Sequence, residues 1–186
     1  MVNPTAKKFH EEAINLFRQG QLEAARDKLQ EALQLAADGT RQQAEIYNDL
    51  GVVYTQLQMY EAADEALDKA MEGFIALADR KGQGQTLGNL AALCQAEDEL
   101  EEAVEIYKES AQILEEVGES EMAMYAWQAI SKIRMKQGQY IAAIGAYEEG
   151  VENMPQSSFK RKILSQILKA PTKFIGGSSG GSQDKE

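Results

Sequence analysis

The chain has 186 residues, 44% of them hydrophobic and 26% charged, which is enough for one domain with a substantial core and is not the composition of a disordered chain. The formal net charge is −11, and the first 155 residues carry 13 Lys and Arg against 28 Asp and Glu. That balance argues against a nucleic-acid-binding body, because phosphate contacts need clustered bases. The sole cysteine, Cys94, excludes an intrachain disulfide and a thiolate metal cluster, so neither a metal nor a cofactor is expected.

With only 3 prolines and an abundance of Ala, Leu, Glu, Gln and Lys, the chain reads as almost all helix. The N-terminal stretch MVNPTAKKFHEEAINLF has no long apolar run, and no segment approaches the roughly 18 apolar residues of a membrane span. A cytoplasmic protein is the expectation. Asn3-Pro4 starts the first helix, and Gly20 marks a turn within the first helix pair, predicted over 5–37. Asp38-Gly39 breaks the chain, and Thr40 with Gln43 forms a capping box for a second pair over 41–80. Gly82 and Gly118 mark the next breaks, giving pairs over 84–117 and 121–153, with a turn at Gly138 in the last. Gln58 and Asp98 stand where Gly20 and Gly138 do, so those two turns are expected to differ in shape.

After Pro155 comes SSFKRKILSQILKAPTKF, with Phe159, Ile163, Leu164, Ile167 and Leu168 on one helical face. A capping helix over 156–170 is predicted, followed by a flexible tail over 171–186 whose GGSSGGSQDKE end is linker-like. Lys160, Arg161, Lys162, Lys169 and Lys173 allow a second reading of this segment, as a basic amphipathic helix for an acidic membrane or partner.

One pattern is written four times: Phe9-x-x-Glu12-Ala13-x-x-Leu16, Tyr47-x-x-Leu50-Gly51-x-x-Tyr54, Leu87-x-x-Leu90-Ala91-x-x-Cys94 and Trp127-x-x-Ile130-Ser131-x-x-Arg134. Each copy is followed by a second signature, at Ala25-x-x-x-Leu29, Ala63-x-x-x-Leu67, Ala103-x-x-x-Tyr107 and Ala143-x-x-x-Tyr147. The small residues Ala13, Gly51, Ala91 and Ser131 fall 38, 40 and 40 apart. Small side chains at these places let two helices approach closely, while the large ones fill the groove between neighbouring pairs. The pattern resembles the tetratricopeptide repeat over about residues 5–155, in the variety with units of about 40 residues found in adaptor proteins. The resemblance implies an all-α, right-handed superhelix of four helical hairpins plus the capping helix, with a concave face that binds proteins. Glu12 and Arg134 depart from it, standing where an apolar and an aromatic residue are usual.

No chemistry assembles in the sequence. His10 is the only histidine and has no Ser or Cys near it, and Cys94, in the place of a packing aromatic, is expected to be a buried, inert thiol. KGQGQTLG over residues 81–88 lacks the glycine spacing of a phosphate loop and reads as a loop between repeats. Carboxylate runs such as DELEEAVE read as solvated helix faces, and the chain is not expected to be an enzyme.

What remains is the inner face of the superhelix. Projection of the first helix of each pair directs His10, Asn48, Asp49, Val52, Gln85, Asn89, Ala92, Tyr125, Gln128 and Lys132 toward the groove, with Ile14 beside them. Asn48, Asn89 and Gln128 recur in three successive repeats, where amides can read a peptide backbone. The family's clamp for chaperone C-termini needs a Lys, Asn, Asn, Lys, Arg set, and His10, Ile14, Asp49, Gln85 and Asn89 do not supply it. The expected function is a non-enzymatic adaptor or scaffold that holds a peptide segment, basic by charge complementarity, with no nucleic acid and with membrane contact only through the C-terminal helix. The alternative is a self-associating structural subunit using its C-terminal helix or convex face.

Overall fold

Asn3 opens the first helix by accepting hydrogen bonds at Oδ1 from the Thr5 and Ala6 amides, 3.0 and 3.4 Å, ahead of a helix that begins at Pro4. In the computed structural model, which describes residues 3–154, 156–158 and 161–165, eight helices follow in sequence. They are α1 (Pro4–Arg18), α2 (Leu22–Leu35), α3 (Arg41–Gln56), α4 (Tyr60–Ala76), α5 (Arg80–Ala96), α6 (Leu100–Glu116), α7 (Ser120–Lys136) and α8 (Tyr140–Glu152).

Each odd-numbered helix packs chiefly on its even-numbered partner, and each even one then packs on the first helix of the next hairpin. The result is the predicted solenoid of four hairpins. The signature small residues sit at the contacts: Ala13, Ala25, Ala63, Ala91, Ala103 and Ala143 are all buried, as are Gly51 and Ser131. A Cβ built on Gly51 would collide with the Leu67 side chain, so the glycine sets how closely α3 and α4 approach. Since no hairpin closes a core by itself, the apolar clusters run across units, as where Ala25 and Leu29 of α2 pack with Ile46 and Leu50 of α3.

The turns within hairpins share one geometry. Gly20, Gln58, Asp98 and Gly138 take φ of 76°, 59°, 66° and 74°. In each turn the following amide reaches back to the same carbonyl position: Gln21 to Leu16, Met59 to Tyr54, Glu99 to Cys94 and Gln139 to Arg134, at 2.8 to 3.0 Å. The expected difference at Gln58 and Asp98 is therefore corrected. Closure of this hydrogen bond decides the backbone, and a non-glycine residue accepts the left-handed strain.

Two further expectations are revised. Gly82 does not mark a break and residues 81–88 are not a loop, because α5 starts at Arg80 and runs through all of them. The break falls at Ala78, with φ of 52°, and Asp79 caps α5 by accepting from the Gly82 amide at 3.0 Å. Gly82 is there for space: any Cβ would strike the Phe74 ring. The Thr40 capping box is half formed. Thr40 Oγ1 accepts from the Gln43 amide at 3.3 Å, but Gln43 Oε1 reaches back to the Gly39 amide, 2.9 Å, and not to that of Thr40.

At the C-terminal end, residues 161–165 are helical, about one period beyond the first turns of α7. Leu164 packs against the cluster of Met124, Val151 and Met154, and Arg161 donates to the Met154 carbonyl at 2.6 Å. Residues 156–158, where the cap is predicted to begin, form a turn and not helix, while Pro155, 159–160, 166–170 and the predicted tail over 171–186 lie outside the described residues.

Candidate functional site

The first helices of the first three hairpins touch one another, α1 against α3 and α3 against α5, whereas no comparable contact joins α5 to α7 or successive second helices among the described elements. Over the first three hairpins the array therefore curves with α1, α3 and α5 on the inside. The predicted groove residues lie on the odd-numbered helices α1, α3, α5 and α7. Tyr125 and Lys132 are exposed, while His10, Asn48, Asp49, Val52, Gln85, Asn89, Ala92 and Gln128 are half-buried.

Several of these residues are bound to one another across hairpins. His10 Nε2 lies 2.6 Å from Asp49 Oδ2, joining α1 to α3. Asn89 Nδ2 donates to Asn48 Oδ1 at 2.9 Å, and the buried Thr86 hydroxyl reaches the same oxygen at 3.2 Å, joining α5 to α3. Gln85 Nε2 approaches Met122 Sδ at 3.6 Å. Asn48 and Asn89 thus form a tie between repeats, with one amide acceptor already engaged. The part played by Thr86 escapes sequence reasoning because a threonine in a helix gives no sign of which neighbouring helix its hydroxyl faces.

An apolar cavity lies near each end of the array. One, of about 310 Å³, lies between α1 and α3 and is walled by Ile14, Phe17, Leu29, Val52 and Val53, with Arg18 and Asp49 also lining it. The other, of about 460 Å³, is lined by Met124, Tyr125, Gln128, Tyr147, Met154 and Leu164 among others. Apolar pockets flanked by a few polar groups suit the side chains of an extended segment.

Cys94 corrects the sequence expectation. It is half-buried, not buried, and lines a cavity of about 370 Å³. Burial pushes its thiol up from the usual range, and the carboxylates of Glu102, Glu99 and Glu97 push it further, so it is a poor nucleophile near neutral pH. Arg134, the other departure, donates from Nη1 to both carboxylate oxygens of Glu101 and to Gln137 Oε1, all at 2.8 Å. Those bonds hold the Glu101 carboxyl below its ordinary range. Glu12 meets Lys8 in an exposed pair at 3.8 Å. Among the described residues no helix is long and apolar enough to cross a membrane.

The profile of the family described as tetratricopeptide repeat matches residues 5–76 and 82–156. No curated protein sequence matches the chain. Among solved structures, BtubC (BKLC) from P. vanneervenii is 16% identical, with a TM-score of 0.68 covering 97% of this chain and 71% of that one. Aspartyl phosphate phosphatase F from Bacillus subtilis is 18% identical at a TM-score of 0.75, covering 89% of this chain but only 44% of the phosphatase. The nearly identical TPR-like repeats of a Podosopora anserina protein are 18% identical at 0.68, covering 90% of this chain and 85% of theirs. At these identities the likeness is one of fold.

Proposed function

The chain belongs to the tetratricopeptide repeat family, and from that premise we propose that it is a non-enzymatic adaptor holding a segment of a partner protein along its inner face. The family's repeats support a protein-interaction scaffold in general. The reading of the groove rests on one observation: the cavity walled by Ile14, Phe17 and Val52, with Asp49 and Arg18 beside it, opens on the strip that also carries Asn89, Gln128 and Lys132. An apolar side chain of the segment fills the cavity, and the remaining amides bond its backbone. The excess of carboxylates in the first 155 residues favours a basic segment through the field it sets up. We place the protein in the cytoplasm, where a lone thiol such as Cys94 stays reduced.

The test is a substitution that closes the cavity without touching a buried position. Val52→Arg is compared with wild type in capture from the native cell, and each retained protein is then measured directly for affinity. At least tenfold weaker binding, with unchanged helical signal, is expected. Equal affinity removes the groove reading.

One feature favours a second reading, in which the protein is a subunit of a larger assembly. Tyr140, Ile141 and Ile144 on α8 are 66%, 89% and 54% exposed, an apolar face at the end of the array. A concentration-dependent dimer that Ile141→Glu returns to monomer would support that reading.

A further inference from the structure

The repeat provides its own internal comparison. Cys94 and Arg134 occupy the same position in successive units, as do Glu61 and Glu101, and Glu97 and Gln137, each pair 40 residues apart. In the later unit the Arg134 guanidinium bridges Glu101 and Gln137. In the earlier unit of the series the position holds Tyr54, whose hydroxyl accepts from Gln30 Nε2 at 2.9 Å. Between them, Cys94 is too small to reach, and the space it leaves is the cavity of about 370 Å³ bounded by α4, α5 and α6.

Both parts of an arginine find their match in this cavity. Its floor is apolar, with Leu87, Leu90 and Ile106 beside the Cys94 side chain. Its rim holds the carboxylates of Glu61, Asp64, Glu97, Glu99 and Glu102, all exposed and none with an ion-pair partner among the described residues. One repeat later in the array, the same arrangement is already occupied by a guanidinium. The cavity is also separate from the groove: at 100° per residue, Leu87, Leu90 and Cys94 point to the side of α5 opposite Asn89 and Ala92.

We propose that this cavity is a docking site for an arginine side chain from a basic segment of a partner protein, which takes the place that Arg134 takes in the following unit. The aliphatic stem lies along Leu90 and Ile106, and the guanidinium meets Glu61 and Glu97 as Arg134 Nη1 meets Glu101 and Gln137. Arginine is favoured over lysine because a guanidinium holds the corresponding place one unit later and is more weakly hydrated than an ammonium, so it enters a half-apolar cavity more readily. The site goes beyond the groove and does not depend on it.

The probe is a blocked Ala-Ala-Arg-Ala-Ala peptide, titrated into the ¹⁵N-labelled full chain, with the citrulline peptide as its neutral isostere. Amide shifts are expected at residues 61, 64, 94, 97, 99 and 102, with at least tenfold weaker binding of the citrulline peptide. Cys94→Arg, which supplies the guanidinium internally, abolishes the response, whereas Cys94→Ser retains it and guards against loss of fold. Equal binding of both peptides, or no shift at these residues, overturns the site. Shifts confined to Asn48, Asn89 and Gln128 move arginine binding to the groove and overturn this site while leaving the adaptor reading intact. Shifts at the cavity that grow with protein concentration alone make a second copy the occupant, and a response to magnesium or zinc chloride without one to the peptide makes it a metal site. Either result overturns the assignment.

Discussion

Asn89 on α5 and Asn48 on α3 share a hydrogen bond of 2.9 Å that spans two successive hairpins on the inner face. A pair of amides on the inner face can serve either a ligand or the scaffold, and here one acceptor serves the scaffold. Asn89→Ala leaves Asn48 Oδ1 with the Thr86 hydroxyl alone. The expected loss is about 1 kcal/mol of unfolding free energy in urea titration, near the usual net value of one hydrogen bond. An unchanged midpoint would mean that water replaces the tie without cost.

Two glycines on helices should respond to alanine with opposite signs. Gly51 faces the fully buried Leu67, which cannot move aside, so Gly51→Ala is expected to cost about 1–3 kcal/mol by overpacking, and Gly51→Leu more. A Cβ added to Gly145 on α8 would meet nothing within 4 Å, so Gly145→Ala should stabilise by up to about 1 kcal/mol through helix propensity. Thermal melts of the two variants on either side of wild type check the pair.

Ala78 adopts φ of 52° with no side-chain polar group to offset the strain. Relief of left-handed strain outweighs the added freedom of the unfolded chain, so Ala78→Gly is expected to stabilise by roughly 0.5 kcal/mol. Gln58→Gly, at φ of 59°, should move in the same direction. A lower midpoint for both would show that the turns are held by something other than backbone closure.

Tyr107 is 8% exposed, and burial pushes its phenol up to about 12. A proton held more tightly in the folded state than in the unfolded one favours folding fully below pH 10, and the advantage falls away as pH rises from 10 toward 12. The loss attributable to this group is on the order of 2 kcal/mol. Denaturation series at pH 9 and above (roughly one step per half unit) should show a decline that Tyr107→Phe removes. An identical decline in the variant would assign it to other groups.

The hairpins were legible because side-chain volume repeats along the chain: the small residues at 13, 51, 91 and 131 predict the close contacts that α1 to α8 make. What escaped has a common cause, in that it depends on distances between helices and not on order within them. Glycine at position 82 reads as a breaker, yet it lies in α5 because Phe74 of α4 needs the room. Helical spacing places the candidate residues on shared helix faces, but the pairing of His10 with Asn48's neighbour Asp49 needs the crossing of α1 and α3. Cys94 reads as a packing residue by its place in the pattern, and only the carboxylates brought round from α4 and α6 show that it leaves a space.

Arg41, Arg80 and Ser120 open α3, α5 and α7 at intervals of about forty residues, and the helical stretch at 161–165 falls within the next such interval. Length in such a molecule is therefore quantised. Inserting a block of about forty residues adds reach while every interior side chain keeps the kind of neighbour it already had. An insertion of any other size dislocates all that follows.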